Sequence, residues 1–192
     1  MGLLSVFKSV ERLPVIFGDG VVLQYPQMAD YEAWRDLRET SQDFLKPWEP
    51  LWLDDELTRA AFRQRIHCYD ELVATDAAYP YFIFRTGDQR LLGGVTLSHV
   101  RRGVAQSATI GYWIGAPHTG QGYMTRALVA LNVHAFGPLN LHRIDAACMP
   151  RNTASIKLLE RTGFIREGAA QSYLKIAGKW EDHLLWGKIS DR

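Results

Sequence analysis

Residues 20–25, GVVLQY, are apolar enough for a first strand, and Pro26 ends it because proline has no N–H to give a ladder. Met28, Tyr31, Trp34 and Leu37 then recur at three-residue steps, which predicts a helix over residues 28–39 with that stripe in the core. Pro47 and Pro50 interrupt the chain. A second helix is expected over residues 54–76, with Leu57, Ala61, Ile66, Tyr69, Leu72 and Val73 on its apolar face and acidic residues at its positive end. From Tyr81 the period shortens. Residues 81–86, 91–100 and 107–114 are β-rich runs separated by Gly87-Asp88 and Arg101-Arg102-Gly103, the pattern of an antiparallel meander. Helical spacing returns over 123–135, followed by a strand over 144–149 and a helix over 152–162. Two last strands are expected near 172–176 and 181–187, turned by Ala177-Gly178. With no repeat, low-complexity tract or linker, one mixed α/β domain over 1–192, with an N-terminal extension over 1–18, is the economical reading.

Composition narrows the class. In 192 residues, 47% hydrophobic content with 22% charge offers enough apolar area to offset chain entropy, which argues against disorder. No apolar run approaches the ~20 residues of a membrane span. Lys8, Glu11 and Arg12 interrupt the stretch where a signal peptide needs its apolar core, so a cytoplasmic location without membrane contact is expected. Cys68 and Cys148 are too far apart for a CxxC pair and are expected as small buried hydrophobes. The six histidines show no HxxxH or HxH spacing, so no metal is expected. The formal charge of +1 gives no reason for direct nucleic-acid binding. It conceals an asymmetry: residues 1–100 hold 10 Lys/Arg against 15 Asp/Glu, and residues 101–192 hold 12 against 6. A basic second half suits a polyanionic small ligand and an acidic first half a basic partner, although scattered solvated charges would look the same.

The richest segment in chemistry is Gly111-Tyr-Trp-Ile-Gly-Ala-Pro-His-Thr-Gly-Gln-Gly-Tyr-Met-Thr125. Here a β-run passes through a glycine-bearing loop straight into a helix. Such a corner leaves main-chain N–H groups unpaired at the positive helix end, and Gly120 and Gly122 lack the Cβ that would keep an anion away. A phosphate or pyrophosphate site is one reading; an ordinary tight turn is the other. Neither GxxxxGK[ST] nor GxGxxG is present.

Gly120-Gln-Gly-Tyr-Met-Thr, together with Pro150-Arg-Asn-Thr-Ala-Ser155 and Leu159-Glu-Arg-Thr-Gly-Phe164, resembles the GNAT superfamily of acetyl-CoA-dependent N-acetyltransferases. The superfamily frame (Gln/Arg)xxGx(Gly/Ala) falls on Thr119–Met124 with Gly122 matching and Thr119 and Met124 departing. Phe44-Leu-Lys-Pro-Trp-Glu-Pro50, Leu141-His-Arg-Ile144, Asn152-x-x-Ser155 and Gly178-Lys-Trp-Glu-Asp-His183 are similar to the ribosomal-protein acetylating RimJ/RimL branch, over residues 20–188. The resemblance implies a mixed, mostly antiparallel sheet flanked by helices, with two splayed central parallel strands that receive the pantetheine arm. It places the pyrophosphate of acetyl-CoA on Gly120, Gln121, Gly122, Tyr123, Met124 and Thr125, with Ile114, Thr119 and Asn152 as further contacts. It also places Asn152 and Ser155 beside the thioester, Ser155 donating to the leaving sulfur.

Asn152 equally has the position of a helix N-cap for the Ser155 N–H, and the two roles are compatible. Residues 107–114 lack the glutamate that many superfamily members use as base; Glu49, Glu167 and Asp182 are the candidates left, and none is assigned. Trp48 and Glu49, between prolines, are expected either at the acceptor mouth, an aromatic wall with a carboxylate, or, for Trp48, in a core gap. Tyr112 and Trp113 must face opposite sides of their strand, and Tyr112 is carried as a substrate-side candidate. Arg126 lies one turn into the phosphate helix, as a phosphate ligand or a solvated cation. The acceptor implied is the N-terminal alanine of a ribosomal protein, reached by direct attack in a ternary complex. A small amine as acceptor, or a CoA-binding module without catalysis, are the rivals, and a monomer or homodimer is expected.

Overall fold

The computed structural model describes residues 13–191. Its eight strands are β1 (Ile16–Gly18), β2 (Val21–Gln24), β3 (Tyr79–Arg85), β4 (Leu91–Arg101), β5 (Ser107–Ile114), β6 (Arg143–Cys148), β7 (Ile165–Ile176) and β8 (Lys179–Ile189). They form one sheet in the order β1-β2-β3-β4-β5-β6-β8-β7. Every neighbouring pair is antiparallel except β5 and β6. The helices are α1 (Tyr31–Thr40), α2 (Gln42–Leu45), α3 (Arg59–Ala74), α4 (Tyr123–Phe136) and α5 (Thr153–Arg161). This is the mixed, mostly antiparallel sheet that the resemblance implied, with its one parallel pair at the centre.

Two apolar layers sandwich the sheet. On one face Leu128, Leu131 and Leu159 from α4 and α5 are buried with Ile83, Leu97 and Ile144. On the other, Tyr31, Trp34 and Leu37 of α1 meet Phe62 and Ile66 of α3 over Phe82 and Phe84 of β3. The helical stripe in α1 is therefore core, as its spacing predicts. Phe62, fully buried, is the hub of this second layer: its ring centroid lies 4.7 Å from that of Trp34 and 5.6 Å from that of Tyr31.

Several elements differ from the sequence expectation. The second helix starts at Arg59, not residue 54, because Thr58 stays extended and its hydroxyl accepts the Ala61 N–H. No acid lies in its first turn, so the expected complement to the helix dipole is replaced by an N-cap. Residues 28–30 are a 3-10 turn ahead of α1, and α2 is an extra short helix. β7 begins at Ile165, seven residues before the expected start; its pairing shifts at Arg166/Gly168 and Ala170/Leu174, and these irregularities erase the two-residue alternation. Strand β1 had no sequence signal at three residues; of the extension expected over 1–18, residues 1–12 lie outside the described residues. Cys148 is buried, but Cys68 is exposed, on the solvent side of α3.

Phe62→Ala is expected to cost about 3–5 kcal/mol, the range for emptying a buried aromatic site, measured by urea denaturation. Thr58→Ala should cost about 1 kcal/mol and Asp54→Asn close to nothing. The reverse order for these two would put the start of α3 back at residue 54.

Candidate active site

Strands β5 and β6 run side by side for only three residues, pairing Ser107 with Arg143, Ala108 with Ile144 and Thr109 with Asp145. Beyond Thr109 they part. On its other side β5 stays bonded to β4 as far as Ile114, and β6 stays bonded to β8 as far as Cys148, so the divergence opens a slot inside an otherwise continuous sheet. The edge of β5 over residues 110–114, which includes Ile114, has no strand partner on the slot side among the described residues. Such an edge presents main-chain donors and acceptors to whatever enters.

At the end of β5 a 3-10 turn, Ala116–His118, leads to the corner before α4. Gly120 and Gly122 both take left-handed backbone, with φ of +72° and +76°. Among the described residues, the N–H groups of Gly120, Gln121, Gly122, Tyr123, Met124 and Thr125 donate to no protein acceptor; the first α4 bond is Arg126 N–H to the Gly122 carbonyl. The neighbouring side chains fold away from them. Thr119 Oγ1 donates to the Ala116 carbonyl at 2.9 Å and Gln121 Nε2 to the Pro117 carbonyl at 3.0 Å, while Met124 is buried in the core. A Cβ added at Gly120 would meet nothing within 4 Å, and one at Gly122 would lie 3.3 Å from the Arg126 guanidinium. Arg126 stacks on Tyr123, 4.9 Å from its centroid, and its Nε is shielded without a partner among the described residues. The corner is thus an array of bare amides with a cation beside it, suited to a phosphate-bearing ligand.

Across the slot the side chains of β5 and α5 meet. Tyr112 faces the α4–α5 layer, and its phenol is hydrogen-bonded to the Ser155 hydroxyl at 2.5 Å. Burial raises the Tyr112 pKa well above the usual phenol range, the Ser155 bond offsetting part of the effect, so the phenol keeps its proton at neutral pH. Asn152 is the N-cap of α5: its Oδ1 accepts the Ser155 N–H at 3.1 Å and so fixes the turn that presents the hydroxyl. Cys148, at the end of β6, is pushed up in pKa by burial, an effect that Trp186 and Ser155 reduce.

Trp113 points the other way, toward α1, lying edge-on to Phe82. Gly94 opposite it has no room for a Cβ, which would sit 2.6 Å from the indole nitrogen. On this face a cavity of about 420 Å³ opens, walled by Trp34, Arg38, Glu49, Trp52 and Trp113 and reaching Gly111 and Tyr112. Its size falls within the ~300–1,000 Å³ usual for small-ligand sites.

Two sequence expectations change here. Trp48 does not line the cavity; it lies under the Arg151 guanidinium, 5.8 Å away, and Arg151 is in turn held by both oxygens of Glu181. Glu49 does line the cavity, but each of its oxygens already has a donor. Arg38 donates to its two oxygens at 2.8 and 2.7 Å, and Trp52 Nε1 adds a third bond at 2.8 Å. The Arg38 guanidinium is itself sandwiched between Trp52 and Trp113, 4.2 and 5.0 Å from their rings. Glu49 is thus a brace of the wall. The other candidate bases lie outside the cavity lining: Glu167 is clasped by Arg143, and Asp182 accepts the Ser172 N–H. Arg38 and Trp52, with Glu56 and Arg65, which also line the cavity, were not singled out from sequence. The spacing of Trp34 and Arg38, one turn apart, was the available sign that a cation shares the apolar face.

Among the described residues there is no group of three or more His, Cys, Asp or Glu able to hold a metal ion, and no helix long and apolar enough to cross a membrane.

Comparison with known proteins fits this geometry. Residues 21–165 match the acetyltransferase (GNAT) domain family. The chain is 39% identical over 166 residues to a probable N-acetyltransferase of Bacillus subtilis (strain 168), YjcK, covering 86% of this chain and 92% of that one. It is 35% identical over 158 residues, 81% of each chain, to the ribosomal protein uS5 alanine N-acetyltransferase of Escherichia coli (strain K12). The structure of Mycobacterium smegmatis RimJ in complex with CoA-disulfide superposes with a TM-score of 0.87 at 30% identity, over 95% of this chain and 89% of that one. The family match runs through both strands that part and the helices after them, so the likeness takes in the slot as well as the scaffold, and the chain belongs to the GNAT acetyltransferase family.

Proposed function

We propose that this protein transfers the acetyl group of acetyl-CoA to the N-terminal α-amino group of a ribosomal protein, alanine being the terminal residue, by direct attack within a ternary complex. The observation that carries the reading is the run of six amides, Gly120 to Thr125, without partners among the described residues, at the end of the slot between β5 and β6. Those amides, with Arg126 beside them, hold the pyrophosphate, and the unpaired edge through Ile114 takes the pantetheine amides; Thr119, whose hydroxyl and N–H both go to the Ala116 carbonyl, shapes the turn. The alanine acceptor is supported by the E. coli relative, named for the alanine of uS5. A cytoplasmic location goes with such an acceptor.

The residues around the slot then divide the work. The amine enters from the cavity side, past Trp113, Gly111 and Tyr112. An α-amino group has a pKa of about 8 against about 10.4 for lysine, roughly 3 kcal/mol less to remove its proton at a given pH. A terminal amine thus needs no strong base, which agrees with a cavity whose Glu49 is paired with Arg38. As the tetrahedral adduct collapses, the departing sulfur needs a hydrogen-bond donor. Tyr112 and Ser155 supply it as a coupled pair: one hydroxyl bonds the other, and the second proton is free for the sulfur. Asn152 positions Ser155 through the cap.

Three measurements test this. Mass spectrometry of ribosomal-protein N-termini from cells with and without the chain should show one terminus losing its acetyl group; no change at any terminus removes the ribosomal acceptor. Gly122→Val forces a β-branched residue into left-handed backbone against Arg126, and CoA affinity by calorimetry should fall about tenfold or more. Tyr112→Phe and Ser155→Ala should each lower kcat about 100-fold with CoA affinity kept, and the double variant should be no worse than either single one. Additive losses would separate the two hydroxyls into independent roles. Tight CoA binding without turnover on peptides or small amines would leave a binding module in place of an enzyme.

A further inference from the structure

The acceptor cavity carries four charged side chains in its wall, Arg38, Glu49, Arg65 and Glu56, and they are not equivalent. The first two form a closed unit. Each Glu49 oxygen already has a donor, Arg38 on both and Trp52 on one. The second two form an open one. Arg65 Nη2 donates to Glu56 Oε1 at 2.5 Å, and Arg65 lies over the Trp34 ring at 5.5 Å, which fixes it in place. Among the described residues Glu56 Oε2 has no hydrogen-bond donor, yet it is not among the atoms sealed from solvent. It is the wall carboxylate oxygen left to receive a donor from something in the cavity.

Glu56 is held there by the turn before α3. Its N–H bonds the Leu53 carbonyl, and the Leu57 carbonyl accepts the Tyr31 hydroxyl at 3.0 Å, tying the turn to α1. Asp54 and Asp55, exposed in the same turn, extend the negative field outward from the cavity. Gly111 and Tyr112 line the same cavity where it meets the slot, so the cavity connects the reacting end to Glu56.

We infer that Glu56 is a specificity-determining residue that receives a second cationic group of the acceptor, the side chain of a lysine or arginine close behind the N-terminal residue to be acetylated. The inference rests on the acetyl-transfer reading above and adds to it the class of peptide preferred, a basic N-terminus. A neutral acceptor loses nothing at the slot but leaves Glu56 Oε2 without its partner. The carboxylate receiver that the sequence suggested at Glu49 is thereby supplied from the turn before the next helix.

The test uses the whole protein, acetyl-CoA and two peptides that share an N-terminal alanine. One carries Lys-Arg at the next two positions and the other Gln-Gln; CoA thiol release is followed. The wild type should show a KM about tenfold lower for the basic peptide, the order expected of one charge-assisted hydrogen bond. Glu56→Gln, which keeps a carbonyl oxygen for Arg65, should raise the KM of the basic peptide to that of the neutral one. Its kcat, the KM for acetyl-CoA and the KM for the neutral peptide should stay as in wild type. The preference should also shrink with added salt. A rise in KM for both peptides alike would make Glu56 a merely structural partner of Arg65 and overturn the inference, as would an unchanged preference. A preference that depends on Glu56 for a short diamine but not for the peptides overturns the peptide class. If wild type turns over neither peptide, acetyl transfer to terminal alanine itself fails, and the inference fails with it.

Discussion

The parting of β5 from β6 after three paired residues is the constraint on which the rest of the structure turns. A sheet that opens in its middle leaves main-chain groups unpaired, and that costs free energy unless a ligand or solvent satisfies them. The fold confines this cost to one place. β4 and β8 remain bonded along the outer sides of the two strands, so the slot has stiff walls, and α4 and α5 both begin at its mouth. One helix brings bare amides and the other a capped hydroxyl. The polar ends of two helices and an open strand edge thus converge because the sheet splits there.

Much of this was legible in the chain. The glycine pair before α4, the Asn-x-x-Ser start of α5 and the β-rich runs from Tyr81 to Ile114 each carry local chemistry that the structure uses where it stands. The parallel pair at the centre came from resemblance, because nothing in the local pattern of residues 107–114 or 144–149 says which neighbour a strand will take. The cavity wall was largely hidden for the same reason. Glu49 sits in the right loop, but its three bonds come from Arg38, on a helix, and Trp52, beyond Pro50. Whether a carboxylate is free or engaged is a property of tertiary contacts, and spacing along the chain does not report it. Strand β7 was half missed because its exposed, irregular stretch lacks the alternation that marks a strand with one buried face.

The electrostatics of the cavity wall follow from pairing. An arginine sandwiched between two indoles and gripped by a carboxylate loses most of its character as a free charge and becomes a rigid, flat building unit. Pairing the wall this way leaves the buried guanidinium compensated and does not make the cavity cationic. It also holds Trp113 flat above Gly94, so that the same strand offers an aromatic surface on one face and the phenol of Tyr112 on the other.

The loop bearing Trp48 and Glu49 is fastened to the far end of the chain. Ala177, in the β7–β8 turn, donates its N–H to the Glu49 carbonyl at 2.9 Å, and Arg151 joins Trp48 to Glu181. The segments joined here are more than a hundred positions apart in the chain. Until the β7–β8 hairpin has formed, neither this tether nor the β8 partner of β6 exists, so the loop and the slot are made rigid by the same late piece of structure.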